Sequence, residues 1–110
     1  MRDEKLDIKE QMAVHLCREY NLSADQAQAM VQIGCQGIKK NLDNIAEIIA
    51  SDPAEIDRQA LGEAAHSLKG VLLNLGLDIQ AESAKKLERA VENGIEPGLV
   101  EGLLAFSEEL

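Results

Sequence analysis

The spacing of apolar residues is the feature that most constrains what this chain can fold into. Apolar side chains recur every three or four residues along nearly the whole sequence, and no stretch alternates as a half-buried strand would. This period predicts amphipathic helices that each bury one stripe. The connections between the helical segments are short, which favours antiparallel neighbours. We therefore predict an all-α protein, an antiparallel up-down four-helix bundle with an additional N-terminal helix.

Capping patterns set the predicted ends of the first two helices. The first helix runs from about Asp3 to Tyr20. Ser23 is a good N-cap, and Gln26 three residues later completes a capping-box pattern. This cap begins a long second helix that runs to about Ala50. The positions expected to face the core are Leu6, Ile8, Met12, Leu16 and Tyr20 in the first helix, and Ala27, Met30, Gly34, Ile38, Leu42, Ile45 and Ile49 in the second.

Acidic caps and glycines bound the remaining three helices. Asp52, followed by Pro53, and Asp57 are alternative caps for the third helix, and Asp57 is slightly preferred. That helix stops at Gly76, because glycine adopts the left-handed conformation that commonly follows a helix. The fourth helix runs from Asp78 to about Asn93-Gly94, and Glu96-Pro97 opens the fifth. The expected core positions are Leu61, Ala65, Leu68, Leu72 and Leu75, then Ala84, Leu87 and Val91, then Leu99, Leu103, Phe106 and Leu110.

The chain is predicted to form a single domain, since 110 residues is a common domain length. Within it, we expect residues 1–22 to form an N-terminal helix that packs on the bundle and residues 23–110 to form the bundle. No signal peptide or apolar run long enough to span a bilayer is visible, so we expect a cytoplasmic protein. In that compartment Cys17 and Cys35 are expected to stay reduced and to pack as small hydrophobes.

Charge and composition argue against two classes of partner. The chain has 11 Lys and Arg against 20 Asp and Glu, a formal net charge of −9, and only 2% aromatic residues. Such a chain repels phosphate backbones and anionic lipid surfaces, and it has almost no side chains that could stack on bases. We therefore expect neither a nucleic-acid nor a membrane partner.

One segment of the third helix, residues 64–76, carries a pattern with chemical meaning. If its apolar stripe faces the core, Gly62, His66, Lys69, Gly70 and Leu73 lie on or near the opposite side. A neighbouring lysine lowers the proton affinity of the histidine, keeps one ring nitrogen free as a nucleophile, and is a charge partner for a phosphoryl group placed there. Glycine inside a helix costs roughly 0.5–1 kcal/mol, and here it leaves the imidazole accessible. Leu73 is an exposed apolar residue suited to a protein partner. His15, by contrast, has no glycine gap beside it and is predicted to be structural.

The run A-H-S-L-K-G-x-x-x-N-L-G resembles the motif of histidine-containing phosphotransfer (HPt) domains, helical bundles that relay phosphoryl groups in multistep two-component signalling. The resemblance covers about Ser23 to Leu110 and includes the run A-K-K-L-E-R-A at residues 84–90. It implies that His66 is the phosphoacceptor, that Lys69 supports the phosphohistidine electrostatically, and that Gly70 leaves room for the partner. Asn74, Leu75 and Gly76 correspond to the structural end of the helix.

The resemblance implies a phosphorelay intermediate that takes a phosphoryl group from the phospho-aspartate of one receiver domain and passes it to another. The catalytic residues would be His66 and Lys69, and the partner-docking residues Gly62, Gly70 and Leu73. The chain has no glycine-rich phosphate loop, so we expect no ATP-binding or autokinase activity. We expect no cofactor or metal on this chain, Mg²⁺ on the partner receiver domain, and a monomer that serves response regulators or hybrid sensor kinases. A stand-alone protein is expected, with a domain of a hybrid kinase as the other option.

Two other functions compete with this hypothesis. The first is a non-catalytic interaction module that binds and sequesters a response regulator through the same face, and a His66→Gln substitution separates it from a relay. The second is a helical bundle with a metal or small-molecule site. It has less support, because the two histidines lie on different helices and no Glu-x-x-His pair occurs.

Overall fold

Helices account for all the regular structure in the described part of the chain, which in this computed structural model is residues 7–50, 56–94 and 98–110. The helices are α1 (Ile8–Tyr20), α2 (Ala24–Ala50), α3 (Arg58–Asn74), α4 (Asp78–Asn93) and α5 (Leu99–Glu108). The central helix is α3, which packs against both α2 and α4. The shortest helix, α5, packs against both α2 and α4, and α1 packs against α2. The predicted all-α bundle with an additional N-terminal helix is therefore confirmed.

The start of α2 is fixed by the predicted capping box. The Gln26 N–H donates to the Ser23 hydroxyl oxygen at 3.2 Å, and the Ser23 N–H donates to the Gln26 side-chain oxygen at 3.0 Å. Two N–H groups that would otherwise lack helical partners are satisfied in this way. Asp57 likewise caps α3, accepting a hydrogen bond from the Ala60 N–H at 3.0 Å. The preferred cap of the third helix is thus confirmed.

The structure describes the first helix from its cap at Asp7 onward, and its predicted start at Asp3 lies outside the described residues. Asp7 has extended backbone angles and accepts a hydrogen bond from the Glu10 N–H at 2.8 Å, so it is the N-cap of a helix that starts at Ile8. The helix begins here because the Asp7 side chain supplies the acceptor that the Glu10 N–H lacks in the first turn. Several predicted positions lie outside the described residues: Leu6, Asp52, Pro53, Glu96, Pro97 and the side chain of Val91.

The end of α3 is a Schellman turn around Gly76. The Gly76 N–H donates to the Leu73 carbonyl at 3.1 Å, and the Leu77 N–H donates to the Leu72 carbonyl at 2.9 Å. The backbone φ angle of Gly76 is +78°, a left-handed conformation that is unfavourable for residues with a side chain. The predicted glycine stop is confirmed, and the turn leads directly into α4 at Asp78.

The core is aliphatic apart from Phe106 and the sulfur-containing Met12 and Cys35, and all buried side chains among the described residues are apolar. Every predicted core position of α3 is buried, but two predictions on the preceding helices are wrong. Met30 is 45% exposed and Tyr20 is also exposed. The buried stripe of α2 instead passes through Val31 and Cys35, which rotates Met30 out to the surface. Leu99 and Leu110 are partly buried against the core, and Leu103 and Phe106 are fully part of it.

Helices α2 and α3 run antiparallel in close contact. A Cβ atom built on Gly34 would lie 2.6 Å from a methyl carbon of Leu75, so the glycine lets the two helices approach. The stretch from Gly34 to the end of α2 measures about 24 Å, and the stretch from the start of α3 to Leu75 about 26 Å, at 1.5 Å per residue. These matching lengths set the two helices side by side in opposite directions. None of the helices within the described ranges is sufficiently long and apolar to span a bilayer.

Candidate functional site

The imidazole of His66 projects into solvent from the middle of α3. Ala65, the residue before it, and Leu68, two residues after it, are both fully buried, so the helix face that carries His66 must point outward. The side chain of His66 is 68% exposed. An approaching molecule therefore has direct access to the ring.

A carboxylate from the next helix holds the ring. Nδ1 of His66 lies 2.9 Å from Oε2 of Glu88 on α4. The other carboxylate oxygen, Oε1, accepts a hydrogen bond from Nζ of Lys69 at 3.0 Å. Glu88 thus bridges the histidine and the lysine, which stand three residues apart on α3. We call these three side chains the His66–Glu88–Lys69 network.

The ionised state of Glu88 determines which ring nitrogen carries the proton. The hydrogen bond from Lys69 and, to a smaller extent, the one to His66 lower the pKa of Glu88, against an opposing effect of burial. The carboxylate therefore stays ionised at neutral pH and can only accept hydrogen bonds. In the neutral imidazole, this places the proton on Nδ1 and leaves the lone pair on Nε2. In that state Nε2 is the ring nitrogen that could act as a nucleophile.

Lys69 is less exposed than the sequence suggested. Its side chain is 24% exposed, because its aliphatic part lies between α3 and α4 while the ammonium group reaches Glu88. The positive charge beside the histidine is therefore matched by a carboxylate. A phosphoryl group on the ring would find this ammonium within the same network, already ordered by its ion pair.

The three predicted docking residues occupy different environments. A Cβ atom on Gly70 would meet nothing within 4 Å, so the surface one turn beyond His66 is open. Leu73 is about half exposed, and it lines a shallow cavity of about 260 Å³ between α3 and α4 together with Lys69 and Lys85. Gly62 is half-buried, one turn before the histidine.

The other chemically interesting residues do not join this site. The ring of His15 packs against Gly76 and meets Tyr20 edge-on, with ring centroids 6.4 Å apart. Cys17 is half-buried and Cys35 buried, both as free thiols, and burial raises the pKa of the Cys35 thiol. Across the described ranges, no group of three or more His, Cys, Asp and Glu side chains is arranged to hold a metal ion.

Glu88 is the functional residue that the sequence analysis missed. It lies 22 residues from His66 in the chain, so the contact depends on how α3 and α4 pack. One signal was available. Glu88 follows the buried Leu87 and stands four residues after the buried Ala84, at the edge of the apolar stripe of α4. A carboxylate at such an edge faces the neighbouring helix.

Comparison with known protein families agrees with the geometry of this site. The family model described as the Hpt domain matches residues 29–110, which includes the whole of α3 and α4. The chain belongs to the Hpt domain family. It is a histidine-phosphotransfer module of two-component signalling, in a family whose members are phosphotransfer intermediates rather than enzymes and interact with receiver domains. Comparisons with curated proteins and with solved structures gave no significant match.

Proposed function

We propose that this protein relays a phosphoryl group between the phospho-aspartates of two receiver domains, with His66 as the intermediate acceptor. The observation that carries the proposal is the hydrogen bond between Nδ1 of His66 and Glu88, at 2.9 Å. In the neutral imidazole it engages Nδ1 and leaves Nε2 as the nitrogen with a lone pair for attack.

The transfer itself is an in-line displacement at phosphorus. Nε2 of His66 attacks the phosphorus atom of the aspartyl phosphate, the N–P bond forms, and the P–O bond to the aspartate breaks to release its carboxylate. Positive charge develops on the imidazole because Nδ1 keeps its proton. Glu88 stabilises that charge, as a carboxylate does for the histidine of other nucleophilic networks. The reverse sequence returns the phosphoryl group to the next aspartate.

Lys69 and Gly70 act on the phosphoryl group and on its carrier. The Lys69 ammonium, 3.0 Å from Glu88, is placed to exchange part of that ion pair for a contact with phosphoryl oxygens. Gly70 leaves open space beside the ring, which the receiver domain needs to bring its aspartate close. Reactions of this kind depend mainly on positioning and electrostatic stabilisation.

The proposal assigns the remaining chemistry to the partner. The receiver domain supplies the phospho-aspartate and the Mg²⁺ that neutralises charge on the phosphoryl group. In this proposal the reaction requires no nucleotide or metal on this chain and no phosphorylation from ATP. Its partners are receiver domains of response regulators or hybrid sensor kinases, and it works as a monomer that exposes one face.

Transfer from a prephosphorylated receiver domain tests the proposal. A panel of receiver domains from the same organism is phosphorylated with acetyl phosphate and Mg²⁺, freed of the donor, and mixed with the wild-type chain or with the His66→Gln variant. We expect phosphate that is labile to acid and stable to base on the wild-type chain alone. Label on both chains would move the acceptor away from His66. Binding without label for every receiver would favour a sequestering module and overturn the relay.

A further inference from the structure

A cavity of about 510 Å³ lies between α1 and α2, outside the His66–Glu88–Lys69 network. Its lining comes from the start of α1, from residues 28–39 of α2 and from Leu110, which follows α5. None of the described residues that line it belongs to α3 or α4, the two helices that carry the network. Cavities that bind small molecules measure about 300–1,000 Å³. This cavity therefore has the size of a small-molecule site and is separate from the candidate acceptor.

The least exposed residues of the lining are apolar. Val31 and Cys35 of α2 are each 6% exposed, and Ala13 of α1 and Leu110 are half-buried. Val31 and Cys35 stand four residues apart, so they form one row along the helix. An apolar chain laid on this row would leave water, which favours its binding.

The cavity is elongated along α2. Three exposed glutamines, Gln28, Gln32 and Gln36, follow one another at four-residue steps beside the apolar row and offer uncharged hydrogen-bonding groups. From Gln28 to Lys39 the lining covers eleven residues, which is about 16 Å at 1.5 Å per residue. This shape suits an extended chain better than a compact ring.

Two lysines place positive charge at the cavity. Lys39 continues the row of Val31 and Cys35 by one further four-residue step, and Lys9 comes from α1. Burial raises the pKa of the Cys35 thiol, and the ammonium groups of both lysines partly oppose this effect, so both charges act at the same place. In the described part of the chain, neither lysine forms an ion pair. Both ammonium groups are therefore available to an anion.

The two carboxylates that also line the cavity are engaged in the cap of α1. Asp7 accepts a hydrogen bond from the Glu10 N–H at 2.8 Å, and Glu10 accepts one from the Asp7 N–H at 3.4 Å. These side chains satisfy the donors at the start of the helix, as a capping box does. The charge that remains for a ligand is thus that of Lys9 and Lys39.

We propose that this cavity binds a small amphipathic carboxylic acid, whose carboxylate pairs with Lys9 and Lys39 and whose apolar chain lies along Val31 and Cys35. The site goes beyond the proposed phosphoryl relay and does not depend on it. A ligand there would contact both α1 and α2 and would stabilise their association, because it binds only the folded arrangement. Since α1 also carries His15, which packs against Gly76, the ligand would stabilise the helix that covers the end of α3.

Titration with octanoate, below the concentration at which it forms micelles, tests the site. Binding is followed by ¹H–¹⁵N spectra of the full chain at low and at high salt, and 1-octanol serves as the uncharged ligand of the same length. The variants are Lys9→Gln and Lys39→Gln. Lys40→Gln is the matched control, since it removes the same charge from an exposed position of α2 that does not line the cavity. Circular dichroism verifies that each variant is folded.

We expect saturable shifts in residues 9–13 and 28–39 with a Kd of about 1 mM for octanoate. Each lysine variant should bind about threefold more weakly, as loss of an exposed charge pair does, and high salt should weaken binding by the wild type. Lys40→Gln should match the wild type, and 1-octanol should bind about tenfold more weakly than octanoate.

Three results would overturn the proposal. They are the absence of saturable shifts up to about 10 mM octanoate, shifts centred on α3 and α4, and equal octanoate binding by the wild type and by folded Lys9→Gln and Lys39→Gln. Equal affinity for 1-octanol would likewise overturn the role of the two lysines. No phosphoryl transfer is measured, so none of these outcomes depends on whether His66 acts as the relay.

Discussion

Removal of the Glu88 carboxylate should slow phosphoryl transfer without unfolding the protein. In the Glu88→Ala variant, Nδ1 of His66 loses its acceptor at 2.9 Å and the Lys69 ammonium loses its ion pair. The imidazole is then free to rotate and to carry its proton on Nε2, the atom that must attack. The lost interaction acts on the chemical step, because it orients the nucleophile and stabilises the charge that develops on it.

The size of the effect follows from the exposure of the network. Hydrogen bonds to charged groups contribute about 1.5–3 kcal/mol, and the lower end applies here because the Glu88 side chain is 30% exposed. A barrier change of about 1.4 kcal/mol corresponds to a tenfold change in rate. We therefore expect Glu88→Ala to transfer about tenfold more slowly. Glu88→Gln, with a neutral acceptor of roughly half the strength, should lie in between. Stability should fall by only about 0.5–1 kcal/mol, as for other exposed pairs.

Rapid-quench transfer at saturating receiver measures this rate. The matched control is Glu101→Ala, which removes the same side chain from an exposed position on α5. A long-range ¹H–¹⁵N spectrum of the imidazole reports the tautomer independently, and it should show Nδ1 protonated in the wild type and a mixture in Glu88→Ala. A folded Glu88→Ala variant whose saturated rate stays within twofold of the wild type would refute this account of the network.

Three further predictions concern stability. Gly70→Gln should raise the unfolding free energy by about 0.5 kcal/mol, since the site is helical and open, and should slow transfer by covering the imidazole; equal or faster transfer would contradict this. Gly34→Ala should lower stability by about 1 kcal/mol because its methyl group meets the buried Leu75, whereas Gly37→Ala should raise it by about 0.5–1 kcal/mol; urea denaturation that gives both the same sign would be inconsistent with the packing. The lowered pKa of Glu88 stabilises the fold above the unfolded value of about 4.3, and this contribution is lost as the pH falls through the folded pKa. The stability difference between wild type and Glu88→Gln should therefore shrink between pH 6 and pH 3, and a constant difference would disprove it.

Local chemistry made much of the fold predictable. The Ser23 capping box, the Asp57 cap and the Gly76 stop each depend on residues within a few positions of one another, and all three were correct. The predicted buried face of α3 is also correct, because its leucines and alanines allow only one face to be buried. Tertiary packing does not alter these helix ends, because the same atoms form the capping hydrogen bonds before and after the helices assemble.

The wrong prediction for Met30 and the missed contact of Glu88 have a common physical cause. On α2, two neighbouring stripes share Ala27, Ile38 and Ile45, and only the helices packed alongside decide between Met30 and Val31. The sequence pattern alone could not make that choice. The contact between Glu88 and His66 likewise arises from the packing of α4 on α3. His66 could be singled out from the pattern of its own helix, whereas its contact with Glu88 depends on the packing of two helices.

The contact between His15 and Gly76 has a practical consequence for how this protein can be divided. The family match begins at residue 29, after α1 and the first turn of α2. A fragment cut at that boundary would lose the Ser23 cap and would uncover the turn at Gly76 that ends the acceptor helix. It would also expose the core surface now covered by Met12 and Leu16. The smallest unit in which the proposed chemistry of His66 can be studied therefore includes α1, even though the family match does not.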